Sequence, residues 1–483
     1  MKTKLAEMVG AEYLFDSLDD LKPFASDYSL SPPRMPSYVA RPKSVEEVQG
    51  IIKLANEHKM PVVPSSSGVH FNGATLPNQG GIIIDLSRMN DILEVDERNR
   101  KVRIAPGVTW GQLQSELEKH ELMALIPLLP HPQKSAITSH LEREPMLISR
   151  HEYGEPLLTM EVVFPNGDLF RTGSACVPGA TVDAVAEGVQ PEGPGLDWFR
   201  FFQGAQGTMG VVTWANVKVE YLPKVNKPFF LPFERIEDAI EPIYRIGRRM
   251  IGQECLLLNS FNLAAILAEK WPDDFENLRG ILPPWTLILV LAGGRKYPEE
   301  KTEYEEEALR EVGSELSLPN LWESLPGVHG LERRLPKLLR QAWPEDKTYW
   351  KFAYKGSCQD LFFHTTLDKV SEFVEALCDL ASRCGRTRDE LGFYLQPLER
   401  GRACHFECNF YYDPNNLGEV GLTRMMYKGS AELLLEMGAF FTRPYGILAD
   451  LVYERAAGYT SALKKLKGLL DPNNIMAPGK LCF

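Results

Sequence analysis

Hydrophobic positions in the first half of the chain recur at two alternating periods. Val48, Ile51, Ile52 and Ala55 are spaced as on one helix face. Ser44 stands at the start of that run and Glu47 three residues on, a capping signature, and Pro61 marks the end. Val62-Val63 and residues 81–86 read as short buried strands, and 101–105 alternates as a half-buried strand should. Residues 109–118 return to the helical period. The runs 160–164 and 168–171 flank Pro165-Asn166-Gly167, which predicts a tight hairpin. Strands at 211–214 and 217–219 close this part.

Pro223 to Pro228 reads as a linker. Beyond it, helices are predicted around 236–250, 301–315 and 368–383, and strands at 286–292, 391–396 and 404–412. The charge run from Glu299 to Glu307 reads as a solvated helix face. A last helix over 459–470 leads into Asp471-Pro472-Asn473-Asn474. A chain of 483 residues exceeds one ordinary core. The fold class expected is α+β, with domains at 1–224 and 225–439 and a final segment, 440–483, returning to the first.

Composition narrows the function classes. A hydrophobic fraction of 44% and a charged fraction of 24% fit a globular protein. A net charge of −12 disfavours nucleic acid or an anionic membrane as the main partner. Acidic residues interrupt the N-terminus where a leader would need an apolar core, and no long apolar run follows. A cytoplasmic protein without a membrane span is expected. Eight scattered cysteines form no CxxC and read mostly as small buried hydrophobes.

Three segments carry candidate chemistry. Ser65, Ser66, Ser67, Gly68, Val69 and His70 follow a strand directly. Consecutive small residues leave backbone N–H groups open, and such a nest suits a pyrophosphate without a lysine. The segment matches neither GxGxxG nor the P-loop pattern. Gly204, Gly207 and Gly210, with Val211 and Val212 behind them, permit close backbone approach before a strand. The tail from Asp471 to Lys480 holds two prolines and a glycine, a fixed extended run.

Together these segments resemble the FAD-linked oxidases of the vanillyl-alcohol oxidase and p-cresol methylhydroxylase superfamily. Tyr38 to Pro42, Pro64 to Ser87, Ile92 to Trp110, His140 to Arg143, Tyr153 to Glu155 and Asp471 to Lys480 carry the likeness. It implies an FAD domain from both chain ends, with a cap domain over the flavin ring and hydride transfer to flavin N5. The FAD contacts it implies are Ser65 to His70, Pro106, Gly107, Ser139, Glu142, Gly207, Gly210, Val211, Val212, Asn474 and Lys480. The catalytic candidates are Arg443, to orient an oxygen-bearing group; Glu155, to shuttle a proton; and His405.

Phenol-oxidising relatives hold their substrate with two tyrosines beside the arginine. Here Thr442 precedes Arg443, and Asn72-Gly73-Ala74 has no tyrosine. A carboxylate, carbonyl or alcohol is therefore favoured over a phenolate. Asp360 and Val69 stand where relatives attach flavin covalently, so FAD is expected to be non-covalent. Cys404 and Cys408 alternate with His405 on one strand, which disfavours a metal site. The leading expectation is an FAD-dependent oxidase or dehydrogenase for an alcohol or activated C–H bond. A 2-hydroxyacid dehydrogenase and a flavin-carrying electron-transfer subunit are the alternatives. Oxygen, a cytochrome or an electron-transfer flavoprotein would be the acceptor, and a homodimer or higher oligomer the assembly.

Overall fold

The computed structural model describes residues 1–148, 156–177, 188–318, 321–328 and 330–483, with the side chain of Glu332 excepted. Three sheets organise the described chain. The first runs β1 (Leu14–Phe15), β2 (Tyr38–Ala40), β4 (Ile82–Asp85), β3 (Val62–Ser65), with β2, β4 and β3 parallel. Helix α1 (Val45–Glu57) joins β2 to β3. Its Ser44 cap accepts from the Glu47 N–H, and its buried face is the one the periodicity marks.

The second sheet has the order β5 (Ile92–Asp96), β6 (Lys101–Ile104), β10 (Val211–Tyr221), β8 (Leu157–Val163), β9 (Leu169–Arg171), and β7 (Leu122–Ala124) also pairs with β10. The Asn166-Gly167 turn joins β8 to β9, with Val163 opposite Leu169. Thr109 forms a reciprocal capping box at the start of α2 (Trp110–Glu118), and α3 spans Ala136–Leu141.

Two readings of this part are corrected. The strands expected at 211–214 and 217–219 are one strand, β10, carrying register shifts against β8. Strand β6 is buried on both faces, not one. Lys101 reaches Glu94 at 2.9 Å, and Arg103 lies over Trp214 at 4.8 Å. Their stems and charges are covered by neighbouring strands, which alternation alone does not reveal.

The third sheet is antiparallel over most of the remaining chain, in the order β11 (Val225–Phe233), β13 (Trp285–Gly293), β12 (Glu254–Asn259), β15 (Leu391–Leu398), β16 (Ala403–Tyr412), β14 (Ser357–Thr365). The expected linker is shorter than Pro223–Pro228, because β11 starts at Val225. Pro228 and Pro232 are tolerated there because β11 is the outermost strand of the ladder. One face carries Leu361, Phe363, Phe393, Cys404, Phe406 and Cys408 into a hydrophobic cluster. The helices packed on that face include α4 (Ile236–Arg249), α5 (Pro298–Glu315), α6 (Val370–Arg383) and α7 (Leu417–Glu436). The other face is polar near β14–β16 and points toward the first part of the chain. Most of the Glu299–Glu307 run is exposed on α5.

The C-terminus folds back onto the first sheet. Helix α8 (Ala457–Leu470) leads to a tail whose Ile475 carbonyl accepts from the Val62 N–H at 2.7 Å. The Ala477 N–H returns the bond to the Val62 carbonyl at 2.7 Å. Buried Lys467 ties the turn together, donating to Thr208 O, Asp471 Oδ2 and Met476 O at 2.6–2.9 Å. Among the described residues no helix is long and apolar enough to cross a membrane.

Candidate functional site

Two cavities meet where the first two sheets face the third. One is lined by the serine loop (Pro64, Ser66, His70), Pro106, α3 (Ile137, Thr138, Leu141), Glu142, and the loop from Phe202 to Gly210, with Val212 and Tyr445. The other is lined by Phe71, His131, Lys134, Glu144, Tyr349, Trp350, Lys351, Asp360, Phe362, Tyr394, Glu407 and Arg443, among others. The two abut: His70 and Phe71, Glu142 and Glu144, and Arg443 and Tyr445 place near neighbours in sequence in one cavity each. A wider cleft of about 920 Å³ opens elsewhere, between α2, β7 and β11, and shares no lining residue with either.

The first cavity is a backbone-and-hydroxyl cradle. Ser66 Oγ bonds Thr138 Oγ1, joining the serine loop to α3. His70 Nε2 bonds Ser65 Oγ at 2.8 Å and the Ser67 carbonyl, which holds the loop closed from within. Burial drives the His70 pKa down to about 4, so the ring is neutral. Ser67 Oγ donates to the carbonyl of buried Val69 at 3.2 Å. A Cβ added at Gly68 would meet nothing within 4 Å, so space lies open beside the loop.

Gly207 has φ of +74° and presses on Pro64, where an added Cβ would sit 2.6 Å from Cγ. Its glycine lets the second loop touch the serine loop directly, and Gly210 and Val212 line the same cavity. At Gly107 a Cβ would collide with the Leu86 carbonyl at 2.7 Å, so this glycine serves chain packing beside Pro106. Val211 is buried in β10.

Three expected contacts sit differently. Ser139 is fully buried, lines neither cavity and accepts from Trp110 Nε1 at 3.0 Å. Asn474 is exposed, and its φ of 48° marks a turn on the Asp471 carbonyl, away from both cavities. Lys480 donates to the Gly73 carbonyl beside Asp27, and burial lowers its pKa to about 8. It latches the tail onto the end of the serine loop.

The cradle fits a dinucleotide. Glu142 is its one acidic lining residue, and Lys134 holds that carboxylate at 2.8 Å. A pyrophosphate would meet hydroxyls and backbone N–H groups without an uncompensated negative charge.

The second cavity is made of side chains from distant strands. Asp360, Phe362 and His364 share one face of β14. Opposite them on β16 stand Asn409, Glu407 and His405, in register. Tyr394 and Gln396 on β15 continue the rows, facing Glu407 and His405. His405 therefore points away from Cys404 and Cys408, which lie in the core cluster behind.

Arg443 is 5% exposed, and its guanidinium lies 3.8 Å over the Phe362 ring. Its loop is pinned on two sides. Phe440 exchanges backbone bonds with His364, and Gln206 Nε2 donates to the Pro444 carbonyl at 2.8 Å. His405 is 1% exposed and lies behind the cavity wall, 3.5 Å from Glu407. Burial lowers its pKa, against the pull of Glu407. Glu155, Tyr153 and Gly154 lie outside the described residues.

Two lysines that sequence reasoning missed dominate the electrostatics. Lys134 meets Glu142 at 2.8 Å and Glu144 at 2.5 Å. Lys351 meets Asp360 and Glu407, each at 2.6 Å. Burial works against each ammonium, but the paired carboxylates outweigh it and raise both pKa values. His405 was the available signal: its strand neighbours at i+2 and i+4 are Glu407 and Asn409. Tyr349 and Tyr394 also line the cavity.

Residues 36–173 match the family model described as an FAD binding domain. The chain is 25% identical to the glycolate oxidase subunit GlcD of Bacillus subtilis, over 100% of this chain and 96% of that protein. It is 24% identical to the 4-cresol dehydrogenase [hydroxylating] flavoprotein subunit of Pseudomonas putida, over 92% of this chain and 87% of that one. Its fold is that of the p-cresol methylhydroxylase crystal structure with substrate bound, with a TM-score of 0.85 and 20% identity over 100% of this chain and 96% of the other. The chain carries an FAD-binding domain and has the fold of p-cresol methylhydroxylase, and it is an FAD-dependent oxidoreductase.

Proposed function

We propose that this oxidoreductase takes a small, uncharged aromatic alcohol as its hydride donor. The observation that carries the reading is the composition of the second cavity. Its cations Lys134, Lys351 and Arg443 stand against Glu144, Asp360 and Glu407, so the formal charges of the lining cancel. A substrate carboxylate would add an uncompensated charge to a buried, balanced set, which is costly. A hydroxyl adds none and finds donors and acceptors on every side. Phe71, Tyr349, Trp350, Phe362 and Tyr394 supply aromatic walls.

FAD, when bound, supplies the hydride acceptor. Ser65 to His70, Pro106, Thr138, Glu142, Gly207, Gly210 and Val212 would hold it, without a covalent bond. Asp360, where relatives attach flavin, is instead committed to Lys351. Residues 1–224 with 440–483 form the FAD-binding unit in this reading, and 225–439 the cap. The backbone bonds between Val62 and the tail support that division. Arg443 orients the substrate oxygen, and the aromatic walls exclude water.

Likeness to the glycolate oxidase subunit favours a 2-hydroxyacid as the second reading. Anaerobic mixing separates the two. Benzylic alcohols should bleach the visible flavin band of the yellow holoprotein, and glycolate and D-lactate should not. Bleaching by the hydroxyacids alone would reverse the assignment.

A further inference from the structure

Oxidising an alcohol to a carbonyl releases a proton as well as a hydride, and the cavity wall holds a group built to take it. Asp360 and Glu407 lie diagonally across adjacent strands β14 and β16. Lys351 Nζ bridges them at 2.6 Å to each. Asn409 Nδ2 bridges them again, 2.6 Å from Asp360 Oδ1 and 2.8 Å from Glu407 Oε1. Both carboxylates line the cavity that Arg443 also lines. Lys351 bonds both carboxylates, so this three-group clamp by itself carries a net negative charge, which Arg443 balances over the lining as a whole. Beside the pair, His405 is 1% exposed, with Nε2 3.5 Å from Glu407 Oε2.

We propose that the Asp360–Glu407 pair, clamped by Lys351 and Asn409, is the base that accepts the proton of the substrate hydroxyl. The proposal rests on the alcohol reading above. The O–H bond breaks and its proton bonds to a carboxylate oxygen of the pair. The C–H electron pair leaves as hydride to the flavin, and the C–O bond becomes C=O. The alcohol loses two electrons, the flavin gains them, and the pair holds the proton until it exchanges with solvent.

The surroundings set the two carboxylates apart. Burial raises the Asp360 pKa, and Glu407 raises it further against Lys351. Burial also acts on Glu407, but Lys351 and His405 outweigh it and hold that carboxyl well below the usual range. The other groups that act on the pair are Cys358 on β14, Tyr394 on β15, Cys408 and Tyr411 on β16, and Tyr349, with Tyr427 of α7 acting on Asp360 from the opposite side of the sheet. Burial keeps each of these thiol and phenol groups protonated, so Asp360 is the member poised to take the proton. Two acidic groups whose environments push their pKa values apart are a recurrent design for acid–base work.

The test uses the FAD-loaded enzyme with Asp360→Asn and Glu407→Gln. An infrared pH titration without substrate should show a protonated-carboxyl stretch in the wild type that Asp360→Asn removes. With a benzylic alcohol, both variants should reduce flavin about 10²–10⁴-fold more slowly, with KM within a few-fold and the basic limb of the pH profile displaced. Asp360→Glu should recover part of the rate. Circular dichroism and flavin occupancy confirm folding, and Glu407→Gln carries the test if Asp360→Asn does not fold. An unchanged infrared band, or reduction within about threefold of wild type in both variants, overturns the base. Failure of every alcohol with wild-type enzyme would instead overturn the substrate reading, while the infrared titration still decides the pair.

Discussion

The two cavities draw on the same three stretches of chain and yet are built by opposite means. On one side, His70, Glu142 and Tyr445 help close a cradle whose polar donors are hydroxyls and backbone N–H groups. On the other, Phe71, Glu144 and Arg443 help line a chamber whose character comes from buried charged side chains. The cradle tolerates an anion because its own charges are few and paired. On the proposed reading the chamber resists one because its many charges are already balanced over the lining as a whole.

That contrast breaks hardest at Lys351. Lys351→Met would leave Asp360 and Glu407 buried with no cation between them. We expect a loss of about 3–5 kcal/mol in unfolding free energy by urea denaturation. A loss below about 1 kcal/mol would mean that solvent screens the cluster, as at a protein surface.

The cradle responds to acid instead. The folded pKa of His70 is about 4 against an ordinary 6.5, because burial disfavours its charged form. Between those values the unfolded chain binds more protons than the folded one. Stability contributed by neutral His70 is therefore full above pH 6.5 and is lost as pH falls toward 4, by about 3 kcal/mol. His140, also held near 4 by burial, adds a second slope of similar size. His70→Asn should remove about half of the combined acid sensitivity, measured as unfolding free energy at pH 7 and pH 4. An unaltered slope would show that His70 titrates as it does in solvent.

Arg443→Lys sharpens the comparison with a smaller effect. Lysine keeps the charge but loses the planar fork and the stacking on Phe362. Flavin reduction should slow by roughly 30–150-fold, about 2–3 kcal/mol of transition-state stabilisation, with flavin still bound. Loss of flavin with the same substitution would place Arg443 in the cradle rather than the chamber.

Local chemistry made much of the first region legible. Ser44 and Thr109 cap helices where they stand because a side-chain oxygen reaches an N–H three residues on. Asn166-Gly167 turns the chain within its own four residues. The serine loop is a continuous segment, so its cradle is visible in order. Other elements depended on partners. Strand β12 is a short apolar run, Glu-Cys-Leu-Leu-Leu-Asn, which periodicity cannot separate from a buried helix. Helix α7 contains three glycines, at 418, 421 and 429, that weaken its helical signal.

The sequence by itself determined the helix starts, the hairpin, the serine loop, the returning tail and the likeness to FAD-linked oxidases, because each is encoded over a few adjacent residues or a contiguous motif. Tertiary structure alone decided that Lys101 and Arg103 are covered, that Ser139 serves Trp110, and that Asn474 faces solvent. It alone joined Lys351 to Asp360 and Glu407, residues separated along the chain by 9 and 56 positions. Strand register set that meeting: an antiparallel ladder brings residues far apart in sequence face to face, and alternation chooses which face they share. No window along the chain contains both conditions.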